Sequence, residues 1–213
     1  MNRRHFLGLA PLLAAAPVVA AQAALPPAPG LVAQPTIQPV TGRQSRVARS
    51  GMLPNVPLLT SNKKAVYFYD DLVRDKTILL NFFLVQCTDG KCPLGIATLR
   101  HVQDLLGDRM GRDVFMYSIT LQPHLDTPDI LKAYAANFVH RPGWEFLTGK
   151  PADIDFLRRS LGYVDRDPER DRDLTNHIGM ARYGNDTLER WGAVSLRSEP
   201  ENIASTFKWL STV

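Results

Sequence analysis

Cysteine is scarce in this chain: Cys87 and Cys92 are the only two among 213 residues. One intramolecular disulfide is therefore the most they can make. The chain also lacks a Lys/Arg tract with interleaved aromatics, which argues against nucleic acid as a partner. It has no internal repeat. Its longest Ala-rich apolar stretch, from Gly8 to Ala21, is interrupted by Pro11 and Pro17 and is short for a membrane span. Excess charge is also slight. The formal +4 falls to about +2 if Arg3 and Arg4 leave with a targeting segment. What remains is a composition of 45% hydrophobic and 22% charged residues, enough for one domain with a proper core plus a tail.

The N-terminus reads as an export signal. Asn2-Arg3-Arg4-His5-Phe6-Leu7 is a positive n-region, Gly8 to Ala21 an apolar h-region, and Ala21-Gln22-Ala23 a small-x-small cleavage site. The paired arginines before Phe-Leu are similar to a twin-arginine signal. Residues 1–23 are thus expected to be a twin-arginine-type signal peptide, with membrane association through an uncleaved N-terminus as the alternative. No cysteine stands at the cleavage region to carry a lipid. Export, to a periplasm, puts the two thiols where a disulfide is permitted. Residues 24–53, rich in Pro, Ala and Gln and without periodicity, read as a flexible linker.

From residue 54 to 213 the pattern alternates. A short extended lead-in at Leu53–Leu59 and a segment Lys64–Tyr69 precede one helical turn, Asp70–Val73. Thr77–Val85 is a continuous apolar run with β-branched and aromatic residues, the signature of a strand buried on both faces. Pro93 opens a helix, Ile96, Leu99, Val102 and Leu106 give its apolar face, and Gly107 ends it. Strands follow at Val114–Thr120 and Trp144–Thr148, and helices at Thr127–Phe138 and Ala152–Leu161. A charged loop covers 165–173. A hairpin around Gly184-Asn185-Asp186 and a helix over Pro200–Leu210 close the chain. This predicts an α/β protein with a thioredoxin-like fold: a central mixed sheet flanked by helices, with a C-terminal hairpin and helix.

The cysteines sit at a strand-to-helix junction, the edge where sites gather in α/β sheets. A thiol at a helix N-terminus feels the positive end of the dipole and unpaired N–H groups, which favours thiolate. Cys92 is placed there, with Lys91 beside it. Thiolate is both the nucleophile of disulfide exchange and a soft ligand for Cu(I). Three roles stay open from the residues alone: a structural disulfide, a redox pair, or a metal site. The first gains little, because the closed loop is short. The last needs a third ligand. His101 falls within a helical pattern, His140 in a loop before Arg141-Pro142, and His124 after Gln122-Pro123. His177 closes the charged loop just before the hairpin and is the best candidate.

At this point the chain resembles the Sco/SenC family of thioredoxin-like copper proteins. The resemblance spans roughly residues 54–213. It is carried by Leu79-Leu80-Asn81-Phe82-Phe83 before the first cysteine, by Cys92-Pro93, and by Asp126-Thr127-Pro128. Trp144-Glu145-Phe146-Leu147-Thr148-Gly149 and His177 before the hairpin complete it. It implies a copper site of Cys87, Cys92 and His177. It further implies an exported chaperone or assembly factor for a respiratory copper site such as that of cytochrome c oxidase. An exported copper-site apoprotein and a thiol–disulfide redox partner would be its partners. Two departures stand out. The family has three residues between its cysteines, and this chain has four: Thr88, Asp89, Gly90 and Lys91. A five-residue offset does not stack two side chains on one face of a regular helix, although Gly90 could let the loop bulge. Gln122 stands where the family usually has an acidic residue. The competing reading is a thiol–disulfide oxidoreductase in which Cys87 and Cys92 are the catalytic redox pair and no histidine is needed. A peroxide-reducing enzyme would require an activating threonine and arginine, and no such motif surrounds Cys87.

Overall fold

The computed structural model describes residues 53–87, 91–139 and 141–211. The expected export signal, the linker up to residue 52, Thr88-Asp89-Gly90 and His140 lie outside the described residues. Five helices and seven strands make up the described domain. The strands are β1 (Pro57–Thr60), β2 (Ala65–Tyr67), β3 (Thr77–Phe83), β4 (Val114–Thr120), β5 (Trp144–Gly149), β6 (Met180–Asn185) and β7 (Arg190–Ser195). They form one sheet in the order β2-β1-β5-β4-β3-β6-β7. β3, β4 and β5 run parallel, and the four remaining strands are antiparallel to their neighbours.

β3 lies inside this sheet, between β4 and β6, because its sequence suits a strand buried on both faces. All seven of its residues are buried. A fully buried Leu, Ile or Phe contributes roughly 1.5–3 kcal/mol relative to exposure. Thr77 and Asn81 are its polar exceptions, and Asn81 is the deeper of the two. The Ser118 hydroxyl on β4 donates to Asn81 Oδ1 at 2.8 Å, and the Trp144 indole on β5 donates to Ser118 Oγ at 3.0 Å. That chain of bonds ties the three parallel strands at one level.

The helices are α1 (Lys91–Leu106), α2 (Pro128–Ala135), α3 (Pro151–Ser160), α4 (Pro168–Arg172) and α5 (Pro200–Ser211). Ile96, Leu99, Val102 and Leu106 form the buried face of α1, which packs against α5 through Ile203, Phe207 and Leu210. α2 and α3 pack against β5. Gly107, at φ +53°, takes the left-handed conformation that ends α1. The expected α/β layout with flanking helices is present.

Three local expectations shift. Phe68–Val73 is a π-helical turn, longer than the single turn read from sequence. α2 stops at Ala135, three residues short of Phe138. The hairpin turn moves outward: Asn185 still pairs with Arg190, so the loop is 186–189 and Gly184 and Asn185 lie in the strand. The charged loop is not irregular throughout. It contains α4 and is followed by a 3₁₀ turn at Leu174–His177, each capped at its start by an aspartate side chain.

Candidate metal and thiol site

β3 leaves the sheet with backbone donors that no strand accepts, and the site grows from them. Leu84 N–H donates to Cys92 Sγ at 3.3 Å. Val85 N–H points at Asp126 Oδ2 at 3.5 Å. Cys92 N–H, in the first turn of α1, donates to Cys87 Sγ at 3.3 Å. Both sulfurs are therefore acceptors of backbone N–H groups, and no disulfide joins them. Their environments differ. Cys92 is buried at 3% exposure, whereas Cys87 is only half-buried. The sequence assigns the helix N-terminus to Cys92. In the fold it is the sulfur of Cys87 that faces the first-turn N–H, while the Cys92 sulfur turns inward to Leu84. Cys87 is the more exposed sulfur of the two.

Of the two cysteines only Cys92 belongs to α1. Cys87 precedes the helix, so the pair does not need to share one helical face.

Behind the pair lies a buried polar cluster that the sequence reading did not identify. The carboxyl of Asp126, 2% exposed, accepts a short hydrogen bond from the Thr120 hydroxyl. Burial pushes its pKa above the ordinary carboxylate value, outweighing the Thr120 and Val85 bonds that lower it. Tyr134 on α2 stacks on Phe83 with ring centroids 5.6 Å apart. Its pKa is pushed up to about 12, first by burial and then by the negative charge of Cys92, Cys87 and Asp126. Its buried hydroxyl has no hydrogen-bond partner among the described residues. Asp126 was legible only as part of an Asp-Thr-Pro helix opening. The cap is in fact Thr127, whose hydroxyl accepts from Ile130 N–H at 3.4 Å, which leaves the aspartate free to turn inward.

His177 ends the 3₁₀ turn, three residues before β6. Ala181 pairs with Asn81, so β6 enters the sheet at the edge from which β3 departs. The imidazole is 4% exposed and is engaged by its own surroundings. Its Nε2 lies 2.8 Å from the Asp171 carbonyl oxygen, 3.3 Å from Asp171 Oδ1 and 3.0 Å from Arg158 Nη1. Arg158, on α3, is 2% exposed and pairs with Asp171 at 2.9 Å and Asp155 at 2.7 Å. The Arg158 hydrogen bonds hold the Asp171 carboxyl well below the usual carboxylate range, helped by Asp165 N–H. A pocket beside His177 is lined by Tyr163, Val164, Asn176, Ile178 and Met180, and neither cysteine contributes to it. Arg158 carries a sequence signal that went unused: it falls four residues after Ile154, on the same inward face as Leu157 and Leu161.

The fold thus brings Cys87 and Cys92 together and keeps His177 in a separate polar cluster. Among the described residues no group of three or more His, Cys, Asp or Glu side chains is arranged to hold a metal. His101 is exposed on α1 and His124 is exposed after β4. Two soft sulfurs beside each other suit Cu(I), and an imidazole would complete such a donor set.

Comparison with known proteins follows the same lines. The SCO1/SenC family profile matches residues 59–209. Among solved structures, copper-bound ScoI from Bradyrhizobium japonicum is 26% identical with a TM-score of 0.58, over 74% of this chain and 98% of that one. BsSco, described as a member of the Sco family of cytochrome c oxidase assembly proteins with a disulfide switch, is 23% identical with a TM-score of 0.59, over 76% and 94%. A SCO1/SenC family lipoprotein from Bacillus anthracis is 20% identical with a TM-score of 0.60, over 75% and 95%. A search of curated proteins gives no match. With the profile covering nearly the whole described domain, the chain belongs to the SCO1/SenC family.

Proposed function

We propose that this chain is an exported copper-binding protein that acts as a chaperone or assembly factor for a respiratory copper site such as that of cytochrome c oxidase. Copper is its cargo, held by Cys87, Cys92 and His177. The observation that carries this reading is the pairing of two acceptor sulfurs at the N-terminus of α1 in a SCO1/SenC domain. The copper bound in the ScoI relative supports it. The n-, h- and c-regions of residues 1–23 support export by the twin-arginine route to the periplasm, with residues 24–53 as the linker to the domain. Cys87 is the sulfur that meets the incoming ion or partner, Cys92 is the buried second ligand, and His177 joins while keeping its contacts with Asp171 and Arg158.

The test is a Cu(I) titration of the reduced protein. About one copper per chain is expected. Equal affinity in wild type and Cys87→Ser would sink the site, and equal affinity in His177→Ala would remove the histidine from it.

One observation favours a second reading, a thiol–disulfide oxidoreductase. The cysteine pair is complete without His177, whose ring nitrogen is engaged elsewhere. On that reading Cys87 attacks a partner disulfide, and Cys92 resolves the mixed disulfide. Turnover with a thiol donor that survives His177→Ala, without copper binding, is its expected signature.

A further inference from the structure

We propose that Arg158 and Asp171 are positioning residues for His177, fixing its imidazole as the Nε2–H tautomer so that Nδ1 is the nitrogen offered to copper. This rests on the copper reading above.

The hydrogens of this cluster can be counted. An arginine side chain has five N–H donors in a rigid fork. Arg158 Nε donates to Asp155 Oδ1 at 3.2 Å. Its Nη2 donates to Asp155 Oδ1 at 2.7 Å and to Asp171 Oδ2 at 3.2 Å. Its Nη1 donates to the Tyr163 carbonyl at 2.5 Å and to Asp171 Oδ1 at 2.9 Å. All five hydrogens are committed to oxygen acceptors. The approach of Nη1 to His177 Nε2 at 3.0 Å therefore has no hydrogen of its own. The other close neighbours of Nε2 are acceptors, the Asp171 carbonyl at 2.8 Å and Oδ1 at 3.3 Å. A lone pair on Nε2 would face two oxygens. A hydrogen on Nε2 faces a carbonyl at good hydrogen-bond distance. In the neutral ring that leaves the lone pair on Nδ1.

The arrangement is rigidly supported. Asp171 receives Arg159 Nη2 at 2.7 Å and Asp165 N–H at 2.9 Å, and its own N–H donates to the Asp167 carbonyl. The loop carrying His177 is thus tied to α3 through one aspartate. A ligating histidine whose other ring N–H is held by a carbonyl or carboxylate is already in the tautomer that the metal needs, and loss of such support lowers metal affinity about 10–100-fold.

The test uses the reduced full-length chain without metal. Long-range proton–nitrogen NMR of the imidazole, under conditions in which the ring is neutral, reports its tautomer directly. Nε2–H is expected in wild type, and Nδ1–H there overturns the proposal without any variant. Arg158→Met and the near-isosteric Asp171→Asn are each expected to give a mixed tautomer population and about 10–100-fold weaker Cu(I) binding by chelator competition. Arg158→Lys supplies charge without the fork and should recover little of it. Unchanged tautomer and affinity in either folded variant overturns the positioning role. His177→Ala separates the two claims: unchanged copper affinity there defeats the copper reading, whereas the tautomer result stands on the metal-free protein alone.

Discussion

The cysteine end and the histidine end of this domain place a buried aspartate in opposite electrostatic settings. Asp126, behind the cysteines, meets a hydroxyl, a distant N–H and apolar walls, and burial drives its pKa up. Asp171, beside His177, meets two guanidinium groups and a backbone N–H, and its pKa is driven down. The same residue type is a reluctant anion in one place and an enforced anion in the other. The difference follows from partners: desolvation without a cation penalises charge, while a committed arginine more than repays it. At the cysteine end burial dominates, and the Thr120 and Val85 bonds and the nearby His124 only partly offset it at Asp126. The histidine end is a locked ionic cluster that sets the geometry of one ring.

The largest expected effect breaks the cysteine end. Cys87→Ser should weaken Cu(I) binding by more than about 100-fold, above the range for losing a mere supporting group, as measured by chelator competition. Next comes the ionic cluster. Arg158→Ala leaves Asp171 buried with one of its two guanidinium partners gone, and should cost roughly 3 kcal/mol in denaturant melts, the lower end for a broken buried pair because Arg159 remains. An unchanged midpoint would mean that the cluster is not a lock.

The pH response separates the two ends more finely. Asp171 has a depressed folded-state pKa, so its contribution is complete above the ordinary carboxylate range and is lost as pH falls through that lowered value. Asp126 has a raised folded-state pKa. Its cost is absent at low pH and appears as pH rises from the ordinary carboxylate range through the raised value. Asp126→Asn should therefore flatten the loss of stability on going from mildly acidic to neutral pH, while Asp171→Asn should flatten the loss at strongly acidic pH. Melting curves across pH check both, and identical pH profiles for the two variants would erase the contrast. The smallest effect belongs to Tyr134→Phe. Its hydroxyl is buried without a partner among the described residues, so removing it should change stability by less than about 1 kcal/mol.

Much of this was legible in the sequence. β3 announced itself because seven consecutive buried residues leave no alternation to mistake, and α1 did so through Ile96, Leu99, Val102 and Leu106. The cysteine pair was visible from its position between them. The division of labour within the pair was not, because it depends on which backbone N–H each sulfur meets after the chain turns at Leu84. The short helix α4 was hidden in a run of charges that looks like solvated loop. Arg158 and Asp171 are 13 positions apart, and only the packing of α3 against that loop makes them partners for His177. A charged residue on an inward helical face was the one clue available.

On the proposed function, two separately built ends of the fold meet on one copper. X-ray absorption of the Cu(I)-loaded, reduced protein tests it most directly, with His177→Ala as the comparison. Two sulfur scatterers and one imidazole nitrogen are expected in wild type, with the nitrogen lost in the variant. An imidazole signal that persists in His177→Ala, or copper held by sulfur alone in both, would contradict it.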